Sequence, residues 1–180
     1  MTHPEAINAT RAALLLKYSS YWDLAPSERR LLAMAYLCDQ LKVRESGGNN
    51  RGQWVGVFQA SAGIGPGDPW CAAALSFASV VANTKRPDRP EDNPAAVLGW
   101  RKWAIRLEKM VGAPVRGSIA MHQPTASTGH IGVVVRVVGP MVYSIEGNTG
   151  SGEGGSQRDG DGMYRRVRLR SFWSWGFADI

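Results

Sequence analysis

The chain has 180 residues, of which 44% are hydrophobic and 20% are charged, and these values suit one globular domain rather than two. Two cysteines are too few for a disulfide framework, and apolar runs such as those at 12–16 and 131–135 are far too short to span a bilayer. A formal net charge of +6 favours acidic partners, and nucleic acid, anionic lipid and acidic cell-wall polymers all remain candidates.

The first half of the chain carries the spacing of helices. Apolar residues recur at three- and four-residue steps over 5–18 and about 26–42, which predicts two amphipathic helices. The stretch Glu45–Gly67 holds seven glycines and is predicted to be a loop with at most one short element, at Trp54–Gln59. Because long loops in compact domains usually serve a function, a functional role is expected for this one.

Proline marks two further helix starts. Asp68-Pro69 predicts a helix with Asp68 as the N-cap and Pro69 at the first helical position, which places Cys71 in the first turn. Asn93-Pro94 repeats the pattern and predicts a helix over about 94–109.

From Val115 onward the pattern changes to short apolar runs separated by glycine and proline, which predict strands. These are Ser118–His122, His130–Val138, Met141–Glu146, Tyr164–Arg170 and, as a fifth, Trp173–Ala178. Because the helices precede the strands, the sequence predicts an α+β domain whose N-terminal helices pack on an antiparallel sheet of about four to six strands. Residues 1–42 are predicted to form a helical extension and residues 43–180 one compact unit.

Two cysteines and three histidines are available for nucleophilic catalysis. Cys38 falls on the apolar stripe of its helix and is predicted to be a buried core thiol. Cys71 falls in the first turn of a helix, where free backbone N–H groups and the helix dipole stabilise a thiolate. For Cys71 taken alone, a core thiol remains the alternative.

Polar side chains end the two central predicted strands. His130 opens one strand, and Glu146 and Asn148 end the next. With a three-residue turn at Val138–Pro140, His130 would lie opposite Asn148 and diagonal to Glu146 on one sheet face. A two-residue turn would put Glu146 on the other face, so the cluster requires an odd-length turn.

A nucleophilic thiol needs a base, and the base needs a third group that fixes its tautomer and stabilises the imidazolium. Cys71, His130 and Glu146 are of the residue types that fill these roles.

Four short motifs follow one another along the chain. They are Pro-Trp-Cys-Ala-Ala at 69–73, Gly-Ser-Ile-Ala at 117–120, Gly-His-Ile-Gly-Val-Val at 129–134 and Ile-Glu-Gly-Asn-Thr at 145–149. A segment rich in glycine and asparagine, at 44–52, precedes them. In this order they resemble the motifs of the CHAP family, the cysteine, histidine-dependent amidohydrolases/peptidases. The resemblance covers about residues 43–150.

The resemblance implies a papain-like fold and cleavage of an amide bond in the peptide part of peptidoglycan. We expect no cofactor and no metal. The resemblance also implies that Cys71 is the nucleophile, that His130 acts first as general base and then as general acid, and that Glu146 orients His130. Asn148 is expected to be a further polar member of the catalytic set.

The oxyanion hole and the substrate cleft are less defined by the motifs. The backbone N–H of Cys71 is available by helix geometry, and Gln59 or Gln53 is the candidate side-chain donor. Trp70 and Asn50 are further candidates for the cleft.

Two charged segments have alternative interpretations. The arginines at 165, 166, 168 and 170 form either a solvated strand face or an electrostatic patch for acidic cell-wall polymer or nucleic acid. The sequence Asp159-Gly160-Asp161 is predicted to be a solvated turn rather than a calcium loop.

The sequence leaves alternatives to a peptidoglycan hydrolase. The chain could be a papain-like protease or acyltransferase directed at proteins, or an inactive basic module that binds cell wall or nucleic acid. A monomer is expected, with a delivery machine or an immunity protein as a candidate partner. Because residues 1–5 lack a secretory signal, we expect synthesis in the cytoplasm and delivery to the wall or periplasm by phage or secretion machinery.

Overall fold

The computed structural model describes residues 1–89, 91–125, 128–151 and 160–180. Within these ranges, five α-helices are followed by six β-strands, which confirms the predicted α+β class. The helices are α1 (His3–Lys17), α2 (Pro26–Ala35), α3 (Gln53–Ala62), α4 (Cys71–Val81) and α5 (Val97–Arg106). The strands are β1 (Met110–Val111), β2 (Ile119–Thr125), β3 (Thr128–Val138), β4 (Met141–Thr149), β5 (Gly162–Leu169) and β6 (Gly176–Ala178).

The strands form one open sheet in the order β1-β6-β2-β3-β4-β5. Neighbouring strands pair in the antiparallel direction throughout the described part of the sheet. The short β6 lies between β1 and β2, and β2 and β3 occupy the two central positions. The sheet therefore places the ends of β3 and β4, which carry the predicted polar cluster, between other strands.

The short element predicted at Trp54–Gln59 within the loop Glu45–Gly67 is a helix, α3, that extends beyond the predicted bounds at both ends. The buried residues Val55, Phe58 and Ala62 recur at three- and four-residue steps, so α3 has an apolar face despite the glycines around it. Gly63 ends the helix in the left-handed conformation, with φ of 73°, which glycine adopts without strain.

The predicted start of α4 is also wrong by two residues. Asp68 is not the N-cap, because its carboxylate accepts a hydrogen bond from the Gly65 N–H at 3.1 Å in the preceding turn. Trp70 occupies the N-cap position and makes no side-chain cap. Cys71 is consequently the first residue of α4, where its backbone N–H has no partner within the helix.

Helix α4 is the centre of the core between the helices and the sheet. All its residues except Val80 are buried, and its buried apolar residues belong to the same hydrophobic cluster as Leu14 of α1, Met34 of α2 and Val133 of β3. Residues 1–42 thus share their core with the rest of the chain. The boundary at residue 42 stays a prediction.

Helix α2 continues into a π-helical turn at Tyr36–Gln40, within the helix predicted over about 26–42. None of the helices in the described ranges combines the length and the apolar character that crossing a lipid bilayer requires.

Candidate active site

Cys71 and His130 meet where the start of α4 reaches the start of β3. Cys71 is 7% exposed, and its Sγ lies 3.9 Å from the carbonyl oxygen of Gly129, the residue before His130. His130 is also 7% exposed, and its Nε2 lies 2.7 Å from Oε2 of Glu146. Because Glu146 occupies Nε2, Nδ1 is the ring nitrogen that His130 can offer to Cys71.

The hairpin between β3 and β4 brings Glu146 to the face of His130 by an unexpected route. The turn has two residues, because Val138 pairs with Met141, so the predicted three-residue turn is wrong. A bulge between Val134 and Arg136 then adds one residue to β3 and shifts the register. One extra residue reverses the alternation of side chains, so the bulge cancels the effect of the even turn. The predicted proximity of His130 and Glu146 is confirmed.

Glu146 is fully buried and has hydrogen-bond donors on both oxygens. Its Oε1 accepts from the Ser144 hydroxyl at 2.7 Å and from Arg168 Nε at 2.8 Å. Its Oε2 accepts from Arg168 Nη2 at 2.6 Å as well as bonding His130. Burial by itself raises the pKa of the Glu146 carboxyl, but the hydrogen bonds from Arg168 and His130 outweigh burial and lower it to about 2. Glu146 is therefore a carboxylate throughout the physiological pH range.

The interpretation of the β5 arginines as one solvated face is wrong at Arg168, which is 7% exposed. Arg165 instead pairs with Asp39 on the protein surface, at 2.5 Å and 2.9 Å. Arg166 donates to the Gly150 carbonyl at 2.9 Å, and Arg170 donates to the Gly112 carbonyl. The four arginines thus have four different partners and do not form a single solvated face.

His130 is buried between charged and aromatic neighbours. The ring of the buried Trp173 is stacked near it, with ring centroids 6.3 Å apart and planes inclined by 16°. Burial lowers the pKa of His130, but hydrogen bonds to Cys71 and Glu146 and the negative charges of both groups outweigh burial and raise it to about 9. At neutral pH this arrangement favours an imidazolium held between the Cys71 sulfur and the Glu146 carboxylate.

Asn148, the other predicted polar residue of β4, contacts the backbone beside the nucleophile. With its amide oriented to satisfy both groups, its oxygen accepts from the Trp70 N–H at 3.1 Å and its nitrogen donates to the Gly160 carbonyl at 3.0 Å. Asn148 adopts a positive φ of 52°, a conformation that asparagine tolerates. It therefore holds the end of β4 against the start of α4, whereas Glu146 bonds the imidazole.

Gln59 braces two loops and has no free N–H for an oxyanion. Its amide nitrogen donates to the carbonyls of Asn50 at 3.0 Å and Asp68 at 2.9 Å, which uses both of its hydrogens. Gln53, the other candidate donor, lies exposed at the first position of α3. The backbone N–H of Cys71 thus remains the best-placed oxyanion donor among the sequence candidates.

Trp70 and Asn50 are also part of the frame beneath the nucleophile. Both are buried, and both bond one carboxylate: Trp70 Nε1 donates to Glu45 Oε1 at 2.8 Å and the Asn50 N–H donates to Oε2 at 2.8 Å. The Asn50 amide also donates to the Gly67 carbonyl at 3.1 Å. Glu45, which sequence reasoning did not single out, ties the loop at 45–50 to the residue before Cys71.

Two motif glycines are required by close approach at the site. A Cβ at Gly132 would lie 2.8 Å from Glu146 Cγ, and a Cβ at Gly147 would lie 2.9 Å from the Trp70 ring. Real Cβ atoms essentially never approach that closely. These glycines let β3 accommodate Glu146 and let the end of β4 pack against the start of α4.

Asp159 of the predicted turn lies outside the described residues. Asp161, which is described, accepts a hydrogen bond from the Tyr164 hydroxyl at 2.9 Å. In the ranges that the structure covers, no three or more His, Cys, Asp or Glu side chains are grouped to hold a metal ion.

No protein-family model, no curated protein and no solved structure matches this chain. The geometry of the site and the sequence motifs therefore provide the basis for a functional proposal.

We expect iodoacetamide to label Cys71 well before Cys38. Both thiols are unpaired and largely buried, but burial and the nearby Asp39 carboxylate raise the pKa of Cys38 to about 12. Cys71 instead has a helix N-terminus and an imidazolium beside it, both of which stabilise a thiolate. Peptide mapping after timed alkylation at pH 7 measures the two rates. Equal rates, or faster labelling of Cys38, would contradict the assignment of Cys71 as the activated thiol.

Proposed function

We propose that this chain is a papain-like cysteine hydrolase of the CHAP type that cleaves an amide bond in the peptide part of peptidoglycan. The observation that carries the proposal is the buried His130, which bonds a fully buried Glu146 carboxylate through one nitrogen and faces Cys71 with the other. The sequence motifs supply the substrate class, since the same chemistry can act on any accessible amide or thioester.

The first half of the reaction uses the thiolate and the imidazolium. The Cys71 thiolate attacks the amide carbonyl carbon, and the tetrahedral oxyanion accepts a hydrogen bond from the Cys71 backbone N–H. His130 donates its Nδ1 proton to the leaving nitrogen, the carbon–nitrogen bond breaks, and the amine departs. The products of this half are a thioester on Cys71 and a neutral His130.

The second half restores the enzyme. Neutral His130 accepts a proton from water, and the resulting hydroxide attacks the thioester carbonyl. The carbon–sulfur bond breaks, the acid product leaves, and the thiolate and imidazolium are regenerated. Glu146 keeps its charge throughout and stabilises the imidazolium each time it forms.

The proposed substrate requires the protein to act outside the cytoplasmic membrane, at the wall or in the periplasm. We propose delivery by phage or secretion machinery, as for an endolysin-like protein. The net charge of +6 supports attraction to acidic cell-wall polymer, although it does not select that polymer over other anions.

Digestion of purified sacculi tests the proposal. The wild-type protein should release soluble muropeptides, and the matched Cys71→Ala protein should release none. Mass spectrometry of the products identifies the bond: glycan strands without peptide indicate cleavage next to muramic acid, and new amino termini within the peptides indicate an endopeptidase.

Other outcomes favour the alternative functions. Cleavage or acyl transfer on protein substrates without muropeptide release would favour a protein-directed protease or acyltransferase. Binding to sacculi without hydrolysis, together with an unreactive Cys71, would favour an inactive binding module.

We expect activity and stability to decline together as the pH rises through about 9. Activity declines because the His130 imidazolium, whose pKa is raised from 6.5 to about 9, is needed to protonate the leaving amine. The raised pKa also stabilises the fold fully below about 6.5, and this contribution is lost as the pH rises through about 9.

The pH dependence of kcat/KM and of the unfolding temperature between pH 6 and 10 measures both effects. In His130→Ala the unfolding temperature should depend less on pH over this range. A rising limb of activity at pH 9 in the wild-type protein would contradict the prediction.

A further inference from the structure

Side chains from three adjacent strands donate hydrogen bonds to the Glu146 carboxylate. His130 reaches it from β3, Ser144 from β4 itself and Arg168 from β5. Arg168 makes the most contacts, at 2.8 Å and 3.1 Å through Nε and at 2.6 Å through Nη2, so both carboxylate oxygens are bound by one guanidinium. The groups whose charges act on this cluster are Arg168, His130 and, through His130, Cys71, and the cluster in turn acts on His122 of β2.

We propose that Arg168 is a positioning residue, which fixes the plane and the charge of Glu146 so that His130 presents Nδ1 to Cys71. A two-point contact from a planar guanidinium restricts a carboxylate far more than a single hydrogen bond does. Without it, rotation of the Glu146 carboxylate would let the imidazole turn away from the thiolate.

The surroundings of Arg168 suit this role. Its guanidinium carbon lies 4.2 Å from the centre of the Phe172 ring, which stacks against the cation, and its Nη2 lies 3.5 Å from the Thr149 hydroxyl. Contacts with Phe172 and Thr149 therefore fix the Arg168 side chain in addition to its bonds to Glu146. A lysine could supply the charge but not the two-point contact.

Arg168 also explains how the buried Glu146 stays ionised. A buried carboxyl without a cation would take up a proton, and a protonated Glu146 would no longer stabilise the imidazolium. Hydrogen bonding to Arg168 is the largest influence that lowers the pKa of Glu146 against its burial. Removing the guanidinium should therefore make Glu146 protonate at a higher pH.

The test compares Arg168→Met with Arg165→Met, which removes an exposed arginine from the same strand. The kinetic consequence rests on the proposed function, but the rate of Cys71 alkylation as a function of pH reports the Cys71–His130 pair without any substrate. We expect the acid limb of the alkylation profile to move up by at least about one pH unit in Arg168→Met, which is about a tenfold slower reaction at pH 5. The Arg165→Met profile should match the wild-type profile.

Arg168→Lys separates charge from geometry and covers the case in which Arg168→Met does not fold. The lysine variant should keep the wild-type acid limb, while kcat on sacculi falls about tenfold with little change in KM. A folded Arg168→Met with the wild-type alkylation profile, or an Arg168→Lys with wild-type kcat, would overturn the positioning role. Normal alkylation profiles with no hydrolysis of sacculi by the wild-type protein would instead overturn the proposed substrate.

Discussion

Replacement of Cys71 by Ala is expected to abolish amide hydrolysis while the protein stays folded. Without the sulfur no thioester forms, and the loss of a covalent nucleophile that works with its base lowers kcat by roughly 10⁴-fold to 10⁶-fold. The fold should tolerate the change, because Cys71 starts an α-helix rich in alanine, and alanine is the best helix former. Muropeptide release from sacculi and the unfolding temperature measure the two effects.

Cys38→Ala is the matched control for this substitution. It removes the other thiol, which is equally buried and lies in the π-helical turn after α2. We expect unchanged activity and a loss of stability of about 1 kcal/mol, because a small buried side chain is truncated. Activity that survives in Cys71→Ala but not in Cys38→Ala would exclude the proposed nucleophile.

The turn between β3 and β4 shows what the sequence leaves open. Gly139 and Pro140, which form the two-residue turn, are residue types typical of turns. The bulge instead lies in a run of three valines at 133–135, where no residue type marks one position as different from the next. Bulges depend on how the whole strand pairs and twists, so local composition did not reveal this one. The prediction that His130 and Glu146 share a sheet face was more reliable than the predicted turn length, because it rested on the need of a catalytic histidine for a carboxylate partner.

Arg168 is a partner of Glu146 that the sequence alone could have reduced to two candidates but not identified. A carboxylate buried in an apolar strand needs a cation, and strand alternation places Arg166 and Arg168 on the face of Glu146. Choosing between them requires the register of β4 against β5, which the long glycine-rich connection leaves undetermined. Glu45 was harder to find, because its partners Asn50 and Trp70 lie in loops without regular spacing.

Helix α3 was within reach of the sequence. Counting glycines over Glu45–Gly67 hid the apolar spacing of Val55, Phe58 and Ala62, which the structure shows to be the buried face. Glycine weakens a helix by only about 1 kcal/mol, so a single Gly56 in an apolar helix is tolerated once the helix packs on a core. Periodicity was therefore the stronger signal than composition.

Replacement of His130 by Ala is expected to lower the rate of hydrolysis by roughly 10²-fold to 10⁴-fold and to slow alkylation of Cys71. The imidazolium stabilises the thiolate, protonates the leaving amine and later activates water, and no other titratable group bonds both Cys71 and Glu146 within the described residues. Removal of the ring also moves the alkylation profile to higher pH, because the cation beside the thiolate is gone. Rates on sacculi and timed alkylation between pH 5 and 9 measure these changes.

His122→Ala is the control, because His122 pairs directly with His130 across β2 and β3. Its ring stacks on Phe172 with centroids 4.0 Å apart, and its Nδ1 lies 3.1 Å from the Ser174 hydroxyl. Losing this ring disturbs the same strand pair but removes no hydrogen bond to Glu146. We therefore expect activity within about threefold of the wild type.

Two outcomes would contradict the role of His130. If the two alanine variants lost activity equally, the loss would come from disturbing the β2–β3 strand pair, and His130 would not be the catalytic acid and base. If His130→Ala left the alkylation profile unchanged, Cys71 and His130 would not be coupled, and an inactive binding module would become the better account of the chain.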